Sequence, residues 1–229
     1  MECVFFRAEV VLHMYILKSP IIKCIVMRVT VCVPSGWLVK ADPLFRIFQF
    51  VNSAVKHDVY FYMAISNRVD LNRSTCVDVA KSRNEPLIMV DSDVIPLQPF
   101  DEVMDYLKED EGDADVVVGV IASSLGVLVN PYVPGAEKFP VEYGSLGFVY
   151  LPKKTLKRLP LLGWYKYSES LQYPLYFRYT LESSEDSDFI IRVREEGMKV
   201  IADTRVRLVH VKDVKLEVRR DGQINASLR

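Results

Sequence analysis

The sequence predicts a single α/β domain built on a mixed, mainly parallel sheet that is flanked by helices. Short runs of β-branched and apolar residues alternate with segments of helical periodicity over about 90 residues, which implies right-handed βαβ crossovers. The chain of 229 residues is long enough to bury a sizeable core as one large domain or two small ones. Its sequence contains no internal repeat or low-complexity stretch.

Composition excludes several classes of protein. Half of the residues (50%) are hydrophobic and 26% are charged, so the chain is too apolar to be disordered. The 29 basic and 30 acidic side chains leave a formal net charge of −1, so we expect no nucleic-acid partner. Cys3, Cys24, Cys32 and Cys76 form no Cys-x-x-Cys pair. Three of them lie in apolar runs, so we expect reduced, structural thiols in a reducing compartment.

The chain divides into residues 1–26, a domain at residues 27–211 and a polar tail at residues 212–229. The apolar run at residues 10–17 is far shorter than the roughly 20 residues that span a bilayer, and acidic residues precede it. Residues 1–26 are therefore either an extra element on the core or an extension upstream of the natural start. We expect no transmembrane segment and a cytoplasmic location, with peripheral attachment at a membrane as an alternative.

Strand and helix signals define the first half of the domain. A strand at residues 29–33 stops at Pro34 and Gly36, and Asp42-Pro43 predicts the N-cap and first turn of a helix. The elements that follow are a strand at 59–65, a helix at 71–82, a strand at 86–90, a helix at 101–108 and a strand at 115–121. The strand at 86–90 is continuously apolar, as strands buried on both faces are.

The second half is less regular. Its predicted elements are a strand at 141–151 interrupted by two glycines, a short helix at 152–159, a helix at about 184–196, and strands at 199–202 and 206–211. Gly197 is a favourable residue to end the longer helix. Aromatic residues concentrate at 163–179, and the tail from residue 212 is predicted to be a solvated helix or strand.

The sharpest candidate site is Asp91-Ser92-Asp93, directly after the strand at 86–90. Residues two apart along a strand point the same way, and two carboxylates are costly to bury without a cation or a basic partner. Carboxylate oxygens suit Mg²⁺ or Mn²⁺, and such an ion can clamp a diphosphate. Ligands bind beyond the carboxyl ends of parallel strands, so the loops after Val33 and Ile65 should share this crevice. The alternative is a loop whose aspartates cap the next helix.

Acidic residues also crowd the start of the helix at about 184–196. Glu185 or Asp186 could act as a general base if its carboxylate projects into the crevice. The ordinary explanation is that the helix dipole stabilises negative charge at the N-terminus.

Among the histidines, only His210 lies at the end of a predicted apolar strand. Its neutral imidazole would suit Mn²⁺ better than Mg²⁺ if it met Asp93. The alternative is a structural hydrogen bond, and His13 and His57 are expected to be structural.

Together these residues resemble the glycosyltransferases of the GT-A fold, especially the family 2-like group. That resemblance covers about residues 29–211 and implies a Rossmann-like, mainly parallel sheet in a single domain. The matching pieces are the strand at 29–34, Asn72-Arg73 leading to Asp91-Ser92-Asp93, the glycine-containing stretch at 141–148, the basic Lys153-Lys154, Glu185-Asp186-x-Asp188-Phe189, Gly197 and His210.

The resemblance implies a metal-dependent transfer of sugar, with inversion, from a UDP- or GDP-sugar to a hydroxyl of a glycan, protein or lipid. Asp91 would face the donor ribose or the metal, and Asp93 and His210 would bind Mn²⁺ or Mg²⁺. Asp186 would deprotonate the acceptor hydroxyl, and Glu185 would orient the acceptor.

The resemblance implies further substrate contacts, several of which have a structural alternative. Arg73 would support the donor phosphates, or it has a surface or capping role. Asp70 contacts the nucleotide base, or it is an ordinary loop residue, because residues 66–70 replace the usual Asp-Asp-Gly-Ser stretch of the family. Trp164 would stack on the acceptor, unless the aromatic segment only covers a small core. The remaining predicted contacts are Pro34, Ser92, Gly144 and Ser145. Gly144 and Ser145 would let the backbone approach the sugar, or they form a simple bulge.

Three other functions compete with this one. A nucleotidyltransferase on a related fold and a catalytically degenerate sugar-binding module both remain alternatives. A haloacid-dehalogenase-like phosphatase fits less well, because the Asp-Ser-Asp motif follows two βα units instead of opening the domain and is followed by Val94.

Overall fold

The computed structural model describes residues 27–123, 126–212, 214–219 and 221–228. Predictions about residues 1–26, including those for Cys3, Cys24 and His13, lie outside these ranges. No helix within the described ranges is long and apolar enough to cross a membrane.

Helices and strands alternate along the described chain. The helices are α1 (Ala41–Asn52), α2 (Val69–Arg83), α3 (Phe100–Asp110), α4 (Lys153–Arg158) and α5 (Glu185–Glu195). The strands are β1 (Met27–Ser35), β2 (His57–Ile65), β3 (Leu87–Val90), β4 (Val94–Pro96), β5 (Val116–Gly119), β6 (Ala122–Ser123), β7 (Gly126–Val127), β8 (Val129–Asn130), β9 (Lys138–Pro140), β10 (Tyr143–Gly144), β11 (Phe148–Leu151), β12 (Gly163–Lys166), β13 (Gln172–Leu175), β14 (Val200–Asp203), β15 (Leu208–Val211), β16 (Val214–Val218) and β17 (Ile224–Leu228).

Seven strands form the central sheet in the order β2-β1-β3-β11-β5-β14-β9. β1 pairs in parallel with β2 and β3, and β14 pairs in parallel with β5. β11 and β9 run antiparallel to their neighbours, so five of the seven strands share one direction. The predicted mixed, mainly parallel sheet flanked by helices is confirmed.

The sheet has an apolar layer on each face because side chains alternate along its strands. Leu87 and Met89 of β3 pack on the side that carries α2, α4 and α5. Ile88 and Val90 pack on the opposite side, against α1 and α3. All four side chains are fully buried, which accounts for the continuous apolar run in the sequence.

A second sheet, in the order β17-β16-β15-β4, lies beside the central one. β15 pairs antiparallel with β4 and with β16, and β16 pairs with β17. The tail after residue 212 therefore adopts the strand alternative, and its hairpin extends the sheet that carries His210.

Helix ends agree only in part with the predicted signals. The predicted end of α5 is confirmed, because Gly197 follows the helix with φ of 70°. At the other end Ser184 Oγ accepts a hydrogen bond from Ser187 N, a cap that was not predicted. The predicted cap of α1 is wrong: Lys40 occupies the N-cap without a side-chain hydrogen bond, and Asp42 lies within the first turn.

The prediction of reduced cysteines is wrong for Cys32 and Cys76, which form a disulfide. Cys32 lies in β1 and Cys76 lies in α2, which packs across that strand, and both are fully buried. Their Cα atoms are 5.6 Å apart, within the range that a disulfide bridges, although 44 residues separate them in sequence. Motif spacing could not reveal this pair because the contact arises from packing of a helix on the sheet.

Candidate active site

The loops after β1, β2 and β3 meet at one edge of the sheet, as their parallel direction predicts. Asn72 of α2 ties two of them together by donating hydrogen bonds to Ser35 O at 2.7 Å and Ser66 O at 3.1 Å. Its side-chain oxygen accepts a hydrogen bond from Ser66 Oγ at 2.6 Å. The Asn72 side chain therefore fixes this edge next to Arg73, the following residue of the helix.

Arg73 lies at the centre of a cluster of three carboxylates. Its side chain is only 2% exposed, and its guanidinium nitrogens lie 3.1 Å from Asp91 Oδ1, 3.1 Å from Asp186 Oδ1 and 3.6 Å from Glu185 Oε1. It also donates a hydrogen bond to Leu146 O at 3.2 Å. The surrounding carboxylates raise the pKa of Arg73 against the effect of burial, so the guanidinium stays charged.

The prediction that Arg73 contacts donor phosphates has no support in this geometry. The side chain is buried and directed at protein groups, so it is placed to hold the carboxylates of β3 and α5 together. Sequence patterns could not show this, because the three acids come from positions 18 and more than 100 residues further along the chain.

Asp91 shares this single cation with two other acids. Burial raises its pKa to about 6; Arg73 opposes the shift, while Asp186 and Asp93 add to it. The backbone N–H of Asp91 donates to Gly147 O at 2.8 Å, which joins the end of β3 to the start of β11. Gly147 allows this close approach, because a Cβ there would lie 2.6 Å from Ile121 Cδ1 and 3.4 Å from Asp91 Oδ2.

Asp93 has different partners. Its Oδ2 lies 3.2 Å from His210 Nε2 and accepts a hydrogen bond from Lys212 Nζ at 2.9 Å. Burial raises the pKa of Asp93, but the hydrogen bonds from His210 and Lys212 outweigh burial and lower it to about 2. Because His210 and Asp93 meet, one condition for the predicted histidine ligand is fulfilled.

The expectation that Asp91 and Asp93 point the same way is wrong. β3 ends at Val90, and residues 91–93 form a turn closed by a hydrogen bond from Val94 N to Asp91 O at 2.9 Å. The two-residue period of a strand does not extend into a turn. Among the described residues, no group of three or more His, Cys, Asp or Glu side chains is arranged to hold a metal ion.

A cavity of about 500 Å³ opens beside the carboxylate cluster. Asp186 lines it together with Gly144, Ser145 and Ser187. Gly144 is required here, because a Cβ would lie 2.8 Å from the backbone oxygen of Leu128. The cavity brings the predicted base and the predicted glycine-serine stretch to one place.

The Asp186 carboxylate is oriented from two sides. Its Oδ2 accepts a hydrogen bond from Leu146 N at 3.0 Å. Within the described part of the chain, the buried Oδ1 has no hydrogen-bond partner, although Arg73 Nη2 lies 3.1 Å away. Oδ1 is buried beside Arg73, whereas Oδ2 accepts one hydrogen bond and keeps a further lone pair.

Other predicted contacts lie around this edge. Pro34 is buried near the end of β1, opposite Ala64 of β2, and Ser92 is half-buried in the acidic turn. Asp70 is only 2% exposed, and Arg68 donates to its carboxylate at 3.1 Å. This ion pair favours a structural role for Asp70 over contact with a nucleotide base.

Glu185 is buried next to Arg73, and Tyr179 lies beside it. Burial and the Glu185 charge raise the pKa of Tyr179 to about 12, so the phenol stays protonated and donates a hydrogen bond to Glu185. Glu185 is therefore held by protein groups, and its predicted role in orienting the acceptor stays a prediction.

The aromatic segment divides between core and surface. Phe177 is fully buried and stacks on Phe189 with 4.5 Å between ring centroids, and Tyr176 is also buried. Trp164, on the hairpin of β12 and β13, is 58% exposed. Tyr176 and Phe177 therefore belong to the core, while Trp164 is exposed and its stacking on an acceptor stays a prediction.

His57 is structural, as predicted. It is 1% exposed, with Nδ1 2.9 Å from Asp101 Oδ1 and Nε2 3.0 Å from Lys108 Nζ. Lys212, by contrast, was not among the predicted site residues. Its position two residues after His210 at the end of β15 is the signal that could have identified it.

The central sheet and its flanking helices form a GT-A-like fold, as predicted. The solved A197 protein from STIV shares this fold with a TM-score of 0.57 and 19% identity, over 89% of this chain and 97% of that chain. The family 2-like assignment stays a prediction.

Two other solved structures are similar at TM-scores below 0.5, too low to support a function. A mutant Drosophila beta-1,4-galactosyltransferase 7 in complex with manganese, UDP-Gal and xylobiose has a TM-score of 0.47 and 14% identity, over 82% of this chain and 71% of that chain. CMP:2-keto-3-deoxy-manno-octonic acid synthetase in complex with CTP has a TM-score of 0.45 and 12% identity, over 77% and 89%. No protein-family model and no curated protein matches the chain.

Proposed function

We propose that the protein transfers a sugar, with inversion, from a UDP- or GDP-sugar to a hydroxyl of a glycan, protein or lipid acceptor. The observation that carries this proposal is the position of Asp186, in the wall of a cavity of about 500 Å³ and next to the acidic turn after β3. Within a GT-A-like fold, this arrangement supports a carboxylate base beside a donor site.

The turn brings the predicted metal ligands together only in part, because Asp93 and His210 meet whereas Asp91 contacts Arg73. Backbone carbonyls only accept hydrogen bonds, so the 2.7 Å contact with Ala122 O places the proton on His210 Nδ1. The other ring nitrogen, Nε2, lies 3.2 Å from Asp93 Oδ2. Asp93 and His210 would hold Mn²⁺ or Mg²⁺, with Asp91 as the predicted third ligand. When bound, such an ion neutralises the charge of the departing nucleoside diphosphate.

The chain's own residues supply the proton transfer. Leu146 N and Arg73 hold the Asp186 carboxylate, so Oδ2 can accept the proton of an acceptor hydroxyl in the cavity. The hydroxyl oxygen attacks the sugar carbon from the side opposite the diphosphate, which inverts that carbon. Gly144 and Ser145 form the adjoining wall, where they would contact the sugar.

The test compares Asp186→Asn with the wild type. A panel of nucleotide-sugars and acceptors is incubated with Mn²⁺, and release of nucleoside diphosphate is measured. We expect D186N to lower kcat by about 100- to 10,000-fold, the usual contribution of a general base, with little change in the donor KM. Glu182→Gln is the matched control, because it also changes a carboxylate to an amide but is exposed. A D186N variant with full kcat would refute the base assignment.

The same assay separates the competing functions. A glycosyltransferase releases nucleoside diphosphate and loses activity in chelator, and activity that persists in chelator would refute the metal requirement. A nucleotidyltransferase instead releases pyrophosphate from a nucleoside triphosphate. A sugar-binding module would bind ligands without turnover.

A further inference from the structure

Tyr143 is an exposed aromatic residue in the wall of the cavity that Asp186 lines. It is 48% exposed and lies on β10, which pairs with β8 and packs against α5. Directly before it, Glu142 N donates a hydrogen bond to Asn130 O at 2.7 Å. The cavity therefore offers an aromatic side chain, attached to a fixed backbone, to a ligand that enters it.

The wall of this cavity also carries hydroxyl, amide and carboxylate groups. Its polar side chains are those of Asn130, Ser145, Ser184, Asp186 and Ser187. An amide and a hydroxyl can each donate and accept hydrogen bonds, as a ligand with several hydroxyl groups requires. Ser145 Oγ accepts a hydrogen bond from Gly147 N at 3.2 Å, so its O–H can still donate to a ligand.

The charge at the cavity wall is negative. Asp186 lines it, and no lysine, arginine or histidine occurs among the described residues that form the wall. Arg73 lies behind Asp186, but it is 2% exposed and is one cation among three carboxylates. A carboxylate or phosphate about 4 Å from the Asp186 charge would bind about fivefold more weakly than a neutral group, even at the dielectric constant of water.

We infer that the cavity binds a neutral saccharide as the acceptor, and that the sugar ring stacks on Tyr143. A sugar ring has an apolar C–H face and a rim of hydroxyl groups, which match an aromatic ring and uncharged polar groups respectively. This inference rests on the proposed function, because it names the class of acceptor for the same cavity. It gives Tyr143 the stacking contact predicted for Trp164, which is not among the described residues that line the cavity.

The experiment measures the binding of matched sugars to the whole protein by saturation-transfer difference NMR. The probes are methyl β-D-glucoside, methyl β-D-galactoside and methyl α-D-mannoside, each compared with the uronide that carries a carboxylate at C6. Each probe is titrated without nucleotide and then with UDP or GDP. We expect at least one neutral glycoside to bind, and to bind at least about fivefold more tightly than its uronide.

Substitutions of Tyr143 test the stacking contact. Tyr143→Ala should weaken binding of the neutral glycoside by at least about fivefold, whereas Tyr143→Phe should change it by less than about twofold because the ring is kept. Tyr167→Ala is the matched control, because Tyr167 is 56% exposed but lies outside the residues that line the cavity. Weaker binding in Trp164→Ala with unchanged binding in Y143A would overturn the assignment.

Asp186→Asn tests the charge separately from the stacking contact. The amide keeps the shape of the side chain but removes its negative charge, so the preference for a neutral glycoside over its uronide should shrink by about fivefold. A merely structural effect would weaken both probes equally and leave that preference unchanged. Thermal unfolding of each variant verifies that it is folded.

The outcomes separate this inference from the proposed function. If D186N loses turnover but Y143A binds the glycosides as tightly as the wild type, the inference is wrong and the proposed function stands. The inference is also wrong if no neutral glycoside binds with or without nucleotide, or if the uronides bind as tightly. If neutral glycosides bind through Tyr143 but no nucleotide-sugar is turned over, the saccharide site stands and the proposed transfer fails.

Discussion

Replacing Arg73 by methionine should reveal how strongly the carboxylate cluster depends on one guanidinium. Arg73 is 2% exposed and contacts Asp91, Glu185 and Asp186 at 3.1 to 3.6 Å. Methionine fills a similar volume but leaves three acids without their cation. Removing one partner of a buried ion pair typically costs about 3–5 kcal/mol, a large part of the roughly 5–15 kcal/mol that stabilises a domain.

The loss in the free energy of unfolding caused by Arg73→Met should depend on pH. In the folded wild type, burial raises the pKa of Asp91 to about 6, above its ordinary value of 3.8. The raised pKa therefore costs nothing below about pH 4, where Asp91 is protonated in the folded and the unfolded protein. The cost grows between about pH 4 and pH 6 and stays constant above that. Without Arg73 the pKa of Asp91 rises further, so the carboxyl is neutral over a wider range. We expect the loss in R73M to be at least about 1.4 kcal/mol smaller at pH 5 than at pH 8, one pKa unit of differential interaction.

Urea unfolding followed by far-UV circular dichroism at both pH values measures these free energies. Arg158→Met is the matched control, because Arg158 is half-exposed and pairs with Asp115 at 3.1 Å. That variant should lose less than about 1 kcal/mol at either pH. A loss below about 1 kcal/mol for R73M at pH 8, or an equal loss at both pH values, would refute the reasoning.

Two other predictions concern stability away from the charges. Replacing Cys32 and Cys76 together by alanine should lower the free energy of unfolding by about 2–4 kcal/mol, because the disulfide closes a long loop in the unfolded chain; a wild type whose urea midpoint is insensitive to reductant would contradict this. Gly144→Ala should cost about 1–3 kcal/mol, because the new Cβ would meet Leu128 O at 2.8 Å. Gly112→Ala is the control, because a Cβ at Gly112 has open space around it, and it should change the free energy of unfolding by less than about 0.5 kcal/mol. Thermal unfolding measures both glycine variants, and equal effects of the two would count against the packing argument.

The order of the helices α1 to α5 and of the central strands β1, β2, β3, β5, β11 and β14 was predictable because local patterns carry it, whereas β9 and the short strands β4, β6, β7, β8, β12 and β13 were not predicted. The apolar run at residues 86–90 became β3 (Leu87–Val90), buried on both faces, and the capped segment at about 184–196 became α5. These signals depend on neighbours in sequence. Boundaries shifted by one to three residues, as at α2 (Val69–Arg83), because hydrogen bonding at helix ends extends beyond the apolar pattern.

Pairings between distant segments were not predictable. The Cys32–Cys76 disulfide depends on α2 packing across β1, and nothing in the motif spacing indicates that contact. Similarly, the sequence suggests one use for Asp91 and Asp93, but the turn after β3 directs them to different partners, Arg73 and Lys212. Charge and burial at each side chain depend on the surrounding fold.

The sequence by itself determined a GT-A-like α/β sheet and the candidate acids Asp91, Asp93 and Asp186, because periodicity and motif order are local properties of the chain. Only the tertiary structure decided that a buried Arg73 pairs with Asp91 and Asp186, and that Lys212 forms an ion pair with Asp93. The physical reason is that an ionised group is stable in a protein interior only beside a partner. Which partner it meets depends on how distant helices and strands pack together.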